Sequence, residues 1–164
     1  MKGAVEPSKD FDFEIGHWRV KHRRLKERLC GCQDWEEFGG TSHMAPILGG
    51  EGNVEDNVID LPGGTIRAVA LRSFDQSSGT WAIWWLTSAA PRQLDVPVIG
   101  RFADGVGAFT ADDVLRGRPV RVRFLWLQTD TPSPRWEQAF SADGGATWET
   151  NWTMAFERGG PAGA

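Results

Sequence analysis

The chain has 164 residues, a formal net charge of −4, nine Trp, nine Phe and no Tyr. That length suits one domain burying roughly 70% of the surface its unfolded form exposes, and the absence of Tyr excludes every mechanism that needs a phenol. The acidic balance argues against a nucleic-acid partner, whose binding surface is normally basic, and no apolar run approaches the length of a membrane helix.

Residues 1–10 carry charge and Pro7 but no apolar run. They are read as an N-terminal extension without a secretory signal, which makes the cytoplasm the expected location. One helical turn, capped by Ser8, is predicted between Pro7 and Gly16. From there, short alternating segments rich in Trp, Phe, Val, Ile and Thr follow one another, the pattern of half-buried strands.

The predicted strands are His17–Leu29, Asp34–Met44, Gly52–Asp60, Thr65–Asp75, Thr80–Ser88, Val98–Ala103, Gly107–Ala111, Val120–Leu127, Arg135–Ser141 and Thr147–Glu157. Tight turns separate several of them, at Leu61-Pro62-Gly63-Gly64, Gln76-Ser77-Ser78-Gly79, Ala103-Asp104-Gly105 and Asp143-Gly144-Gly145. Ala111–Gly117 is read as a second helical turn, and Pro91–Pro97 as a loop at a barrel mouth. Connections this short leave no room for the crossover helices of a parallel sheet, and closure removes exposed edges. The expectation is an all-β, antiparallel, up-and-down barrel of about eight to ten strands over residues 11–158. Residues 159–164 are expected to be a disordered tail.

The basic run Arg19, Lys21, Arg23, Arg24, Lys26, Arg28 lies opposite Asp34, Glu36 and Glu37 across the first hairpin, and reads as a solvated cross-strand ladder. Cys30-Gly31-Cys32 is too closely spaced for an easy disulfide and supplies at most two of a structural zinc site's four ligands. His17, His22 and His43 add no metal-ligand spacing to it. The pair is read as reduced thiols at a turn, and no metal is expected.

Period-2 alternation points Trp136, Gln138 and Phe140, and Trp152, Met154 and Phe156, toward the core, with Asn151 and Thr153 outward. Val120, Val122, Phe124 and Trp126 point inward by the same test, as do Trp18, Val20 and His22, with the facing of Arg24 left open. The strands 65–75 and 80–88 are apolar on both faces, so their facing stays open. Their outer face would be an exposed apolar patch suited to a homodimer. A barrel of this size generally encloses a cavity. His22, Glu37, Asn53, Arg72 and Gln138 are the polar candidates for ligand contact there, with Trp85 and Trp126 as apolar walls.

Gly16-His17-Trp18, just after Phe11-Asp12-Phe13, resembles the Gly-x-Trp opening of lipocalins and other calycins. Arg158 stands where lipocalins place an Arg across that Trp, so the resemblance implies structural roles for Trp18 and Arg158 at one end of the barrel. From Phe11–Trp18 through Trp35-Glu36-Glu37-Phe38 to Trp148–Trp152, the chain is similar to a bacterial family of uncharacterised lipocalin-like proteins. That family implies a fold and no activity. Unlike true lipocalins, the chain lacks the helix that follows the barrel. Ser141–Trp148 resembles the Asp-box of sialidases, a turn device in which Asp143 caps the hairpin and Trp148 packs beneath it. A sialidase needs several boxes and a Tyr nucleophile, neither of which is present.

The leading functional expectation is a binding module for a small, largely apolar molecule. The alternatives are an isomerase or hydrolase using His22 with Glu37 as an acid–base pair, and a scaffold with a filled interior. No cofactor is expected. Haem is a minor alternative, because the haem-binding calycins related to nitrobindin place their axial His late in the barrel, and every His here precedes residue 44.

Overall fold

The computed structural model describes residues 6–159. Ten antiparallel strands run in chain order: β1 (Gly16–Leu25), β2 (Trp35–Ile47), β3 (Gly52–Leu61), β4 (Gly64–Asp75), β5 (Thr80–Thr87), β6 (Val98–Ala103), β7 (Val106–Leu115), β8 (Arg118–Leu127), β9 (Arg135–Ser141) and β10 (Glu149–Arg158). Each pairs with its neighbours in sequence, and β1 pairs with β10 to close the barrel. This is the all-β up-and-down architecture expected from the spacing of turns. Short 3-10 turns at Asp12–Glu14 and Leu48–Gly50 are the helical elements among the described residues.

Because the strands alternate in direction, the barrel has two distinct ends. The Asp12–Glu14 turn and the β10 terminus lie at one, hereafter the closed end. The other, the mouth, carries residues 26–34, the 88–97 loop, and the β7–β8 and β9–β10 turns. At the closed end Phe11 folds inward and meets Trp81 at 4.9 Å and Phe102 at 5.0 Å, edge to face. Trp126 packs on Phe156 at 5.2 Å. Trp81, Phe109, Trp126 and Phe156 are fully buried, each stabilising the fold by roughly 1.5–3 kcal/mol through removal of apolar surface from water.

The strands of undecided facing resolve here. Ala68, Ala70 and Arg72 of β4 and Trp81 and Ile83 of β5 are buried, whereas Leu71, cross-strand from the half-buried Trp84, and Ile99 face outward. Close approach of strands also explains Gly100, sandwiched between Trp81 and Phe109: a Cβ there would lie 1.8 Å from the Ala108 carbonyl oxygen.

Several expected boundaries move. β1 stops at Leu25 rather than Leu29, and residues 26–34 form a loop closed by a hydrogen bond from Lys26 N–H to the Asp34 carbonyl. β2 continues past Met44 through Pro46. Its pairing with β1 ends at Gly16↔Met44, so the missing proline N–H is not needed for a ladder on that side. The predicted turn of helix at Ala111–Gly117 is instead the end of β7 and a hairpin. Arg116 and Gly117 both take positive φ, 51° and 78°, the geometry of a twisted two-residue loop. Ser8 does not cap the first 3-10 turn, whose cap position is Phe11. Its hydroxyl accepts from Asp10 N–H.

Asn151, expected outward, sits at a bulge in β10 and is fully buried. Cys30 and Cys32 are free thiols in the 26–34 loop. Of the expected disordered tail, residues 160–164 lie outside the described residues, and Gly159 donates to the His17 carbonyl. Residues 1–5 of the expected N-terminal extension also lie outside them, while Asp10 accepts from the Trp81 indole at 3.0 Å. No helix among the described residues is long and apolar enough to cross a membrane.

Candidate functional site in the barrel interior

The closed end is held by an arginine clasp. Arg158 lies flat on Trp18, its guanidinium carbon 3.7 Å from the ring centre, and donates to the carbonyls of Ile15 (2.6 Å) and Phe13 (3.2 Å). Trp18 in turn donates its indole N–H to the Glu14 carbonyl at 2.7 Å. Together they tie the first 3-10 turn across the end of the barrel.

Beneath that turn is a buried polar cluster. Arg72 Nη1 donates to Glu14 (2.7 Å) and Asn53 (2.9 Å), and Nη2 donates to Glu55 (2.7 Å). All four side chains are buried, and the guanidinium stacks over Phe11 at 4.5 Å. Burial, and the neighbouring Glu55, hold the Glu14 carboxyl well above its usual range despite Arg72. Burial also opposes ionisation of Glu55, but Arg72 and hydrogen bonds from Glu14, Arg72 and Asn57 outweigh it and keep that carboxyl low. The cluster thus sets one guanidinium against two carboxyl groups, of which burial makes Glu14 the harder to ionise, so little net charge is held in the dry interior.

Above the cluster the interior opens in two compartments sharing Trp85, Phe124, Trp136 and Met154. The deeper, of about 20 Å³, also touches Glu55, Arg72 and Trp126 and has room for about one water. The outer, of about 200 Å³, is bounded further by Phe140, Trp152, Arg28, Asp95 and Gln138. Trp136 meets Phe124 at 4.9 Å and Trp152 at 6.0 Å, both edge to face, so rings form most of the wall.

The polar groups of the outer cavity differ in how far they are engaged. Gln138 donates to Asn151 at 2.8 Å. Asp95 enters on the 88–97 loop, whose position is set by its own N–H donating to the Trp85 carbonyl at 2.9 Å. That bond takes over where β5 has run out of β6 partners beyond Ile83. Burial and the nearby Asp113 push the Asp95 carboxyl up. Arg28, half-buried beside Phe140 at 5.6 Å, has a buried Nε with no hydrogen-bond partner among the described residues.

The expected site residues therefore divide. Trp85 and Gln138 line the outer cavity. Trp126 and Arg72 reach only the deeper compartment, Arg72 with both Nη groups committed. Asn53 belongs to the buried Arg72 cluster and to an open depression of about 280 Å³ outside the closed end. Asp143 and Trp148 form the β9–β10 turn. Asp143 accepts from the Thr147 hydroxyl (2.5 Å) and N–H (2.9 Å) and from the Ser141 hydroxyl (2.7 Å), which hold its carboxyl far below the usual range. Arg123 stacks on Trp148 at 4.4 Å.

His22 and Glu37 are not a pair, which corrects the acid–base expectation. His22 is cross-strand from Phe38, and Arg23 from Glu37. Successive residues face opposite sides of a strand, so Glu37 lies outside, exposed, 3.8 Å from Arg23. His22 points inward, stacked on Phe38 at 5.0 Å, and its Nδ1 accepts from the Trp152 indole at 3.1 Å. Burial, aided by Arg24 and opposed by Glu55 and Asp60, lowers its pKa to about 4. It is a neutral imidazole in an aromatic stack.

Arg28, Asp95, Phe124, Trp136, Phe140, Trp152 and Met154 complete the cavity without having been singled out as ligand contacts. The four aromatics and Met154 were legible as inward-facing from strand parity. Arg28 and Asp95 sit on loops, where parity carries no information. No family model matches the chain, and no curated protein matches it in sequence.

Proposed function

We propose that this protein is a binding module that holds a small, largely apolar molecule in the mouth half of its barrel. The observation that carries the reading is the ring-walled outer cavity of about 200 Å³, entered by Arg28, Asp95 and Gln138. An apolar interior with a few polar groups is the usual make-up of a ligand pocket, and this one falls below the 300–1,000 Å³ typical of drug-sized ligands. One- or two-ring molecules are the appropriate size class. The acid–base alternative has lost its pair, and the filled-scaffold alternative describes the closed half but not the mouth.

Tryptophan fluorescence tests this directly, because Trp85, Trp136 and Trp152 border the cavity. Titration with indole, 1-naphthol and a medium-chain fatty acid is expected to give a saturable change for at least one ring compound. Met154→Trp, which fills the shared wall, is expected to abolish it. No change with any member of the panel, together with no rise in melting temperature, would overturn the reading.

A further inference from the structure

We propose that the preferred ligand is a small planar aromatic bearing a carboxylate, and that Arg28 is its anion anchor; the proposal builds on the binding reading above. The rings of Trp85, Phe124, Trp136, Phe140 and Trp152 enclose the space where an apolar body would lie, and edge-to-face packing suits a flat guest. Charge then decides the other end of the molecule.

The cations and carboxylates around the mouth are unequally matched. Arg24 is taken by Glu36, at 2.6 Å. Glu149, the other carboxylate close to Arg28, accepts from the Leu29 backbone N–H at 2.8 Å. Arg28 makes no salt bridge or hydrogen bond among the described residues, and its neighbours Arg24 and Arg116 are of like charge. Asp95 is the one carboxylate lining the cavity; it stands exposed at the rim, and burial of part of the group together with Asp113 raises its pKa above the usual range.

A guanidinium stays charged when partly buried, and its planar fork fits a carboxylate through two parallel hydrogen bonds. Arg28 beside Phe140 therefore places the ligand's carboxylate at the rim and its ring toward Trp136 and Met154. An ammonium group in the same position would meet Arg28 and its basic neighbours. Arg28 is a binding residue rather than part of the fold's support, since it lies outside the strands in the 26–34 loop.

Calorimetric titration of the full chain at neutral pH with 2-naphthoate, 2-naphthalenemethanol and 2-naphthylmethylamine separates the possibilities. Naphthoate is expected to bind about tenfold more tightly than the alcohol, the scale of a charge-assisted hydrogen-bonded pair, and the amine most weakly. Arg28→Met is expected to abolish the preference for naphthoate over the alcohol, and Arg28→Lys to keep part of it. Equal affinities for naphthoate and alcohol in the unaltered protein would overturn the carboxylate assignment and leave the binding reading standing. A naphthoate preference that survives Arg28→Met would overturn the anchor. Failure of all three compounds to bind would remove both proposals.

Discussion

The two halves of this barrel use the same materials to opposite ends. Each contains Trp and Phe rings in edge-to-face contact, and each contains a buried or half-buried arginine. At the closed end the rings fill the space, and Arg72 meets two carboxyl groups and an amide. At the mouth the rings leave a cavity between them, and Arg28 meets neither a carboxylate nor an amide among the described residues. Aromatic content alone thus does not mark a binding site. The distinguishing feature is whether the arginine among the rings has already met a carboxyl group within the chain.

Removing each arginine is the strongest way to break this comparison. Arg72→Met leaves Glu14 and Glu55 buried without their cation, and is expected to cost roughly 3–5 kcal/mol of stability in urea denaturation. Arg28→Met is expected to stay within about 0.5 kcal/mol of the unaltered protein, as for a side chain with no internal partner. Comparable losses in the two variants would show that the halves are not different in kind.

Acidification sharpens the same contrast at the level of one side chain. The folded-state pKa of His22 is lowered from 6.5 to about 4, so on acidification the unfolded chain binds the proton first. The His22 contribution is complete above pH 6.5 and is lost as pH falls toward about 4, with a slope approaching 1.4 kcal/mol per pH unit and a total of about 3 kcal/mol. The raised Glu14 works in the other direction, costing stability as pH rises above its ordinary range. The difference between the unaltered protein and His22→Phe isolates the histidine. A stability difference that does not change between pH 7 and 4 would show that His22 is open to protonation in the fold.

The smallest expected effect is at the clasp. Arg158→Met removes the stack on Trp18 and two hydrogen bonds to backbone carbonyls, at a cost of about 1 kcal/mol because the group is solvent-exposed. A lowered melting temperature without change in ligand affinity would separate closure of the barrel from its cavity.

Strand number, connectivity and most inward faces were legible in the sequence because alternation and turn residues are local signals. Trp136, Phe140, Trp152 and Met154 followed from parity alone. The site was less legible, for three physical reasons. Parity lapses where a strand ends: Arg28 continues the spacing of Arg24 and Lys26, but β1 has stopped at Leu25. Parity also inverts where the interior is polar: β3 turns Asn53, Glu55 and Asn57 inward, and an isolated strand gives no sign that Arg72 awaits them. Lastly, His22 and Glu37 are near in register but separated by the sheet itself, a distinction that depends on the exact pairing.

The seam between β1 and β10 has a consequence for how such a barrel can vary. Every other pairing joins strands consecutive in the chain, whereas this one joins the first to the last. Gathering them closes one long loop, whose entropic cost grows only logarithmically, by about 0.6 kcal/mol for each doubling of length. Residues added to the 26–34 or 88–97 loops would hardly burden that closure, while Arg158 and Trp18 hold the seam at the far end. The loops at the mouth can therefore be lengthened and recomposed, with the architecture left to the other end.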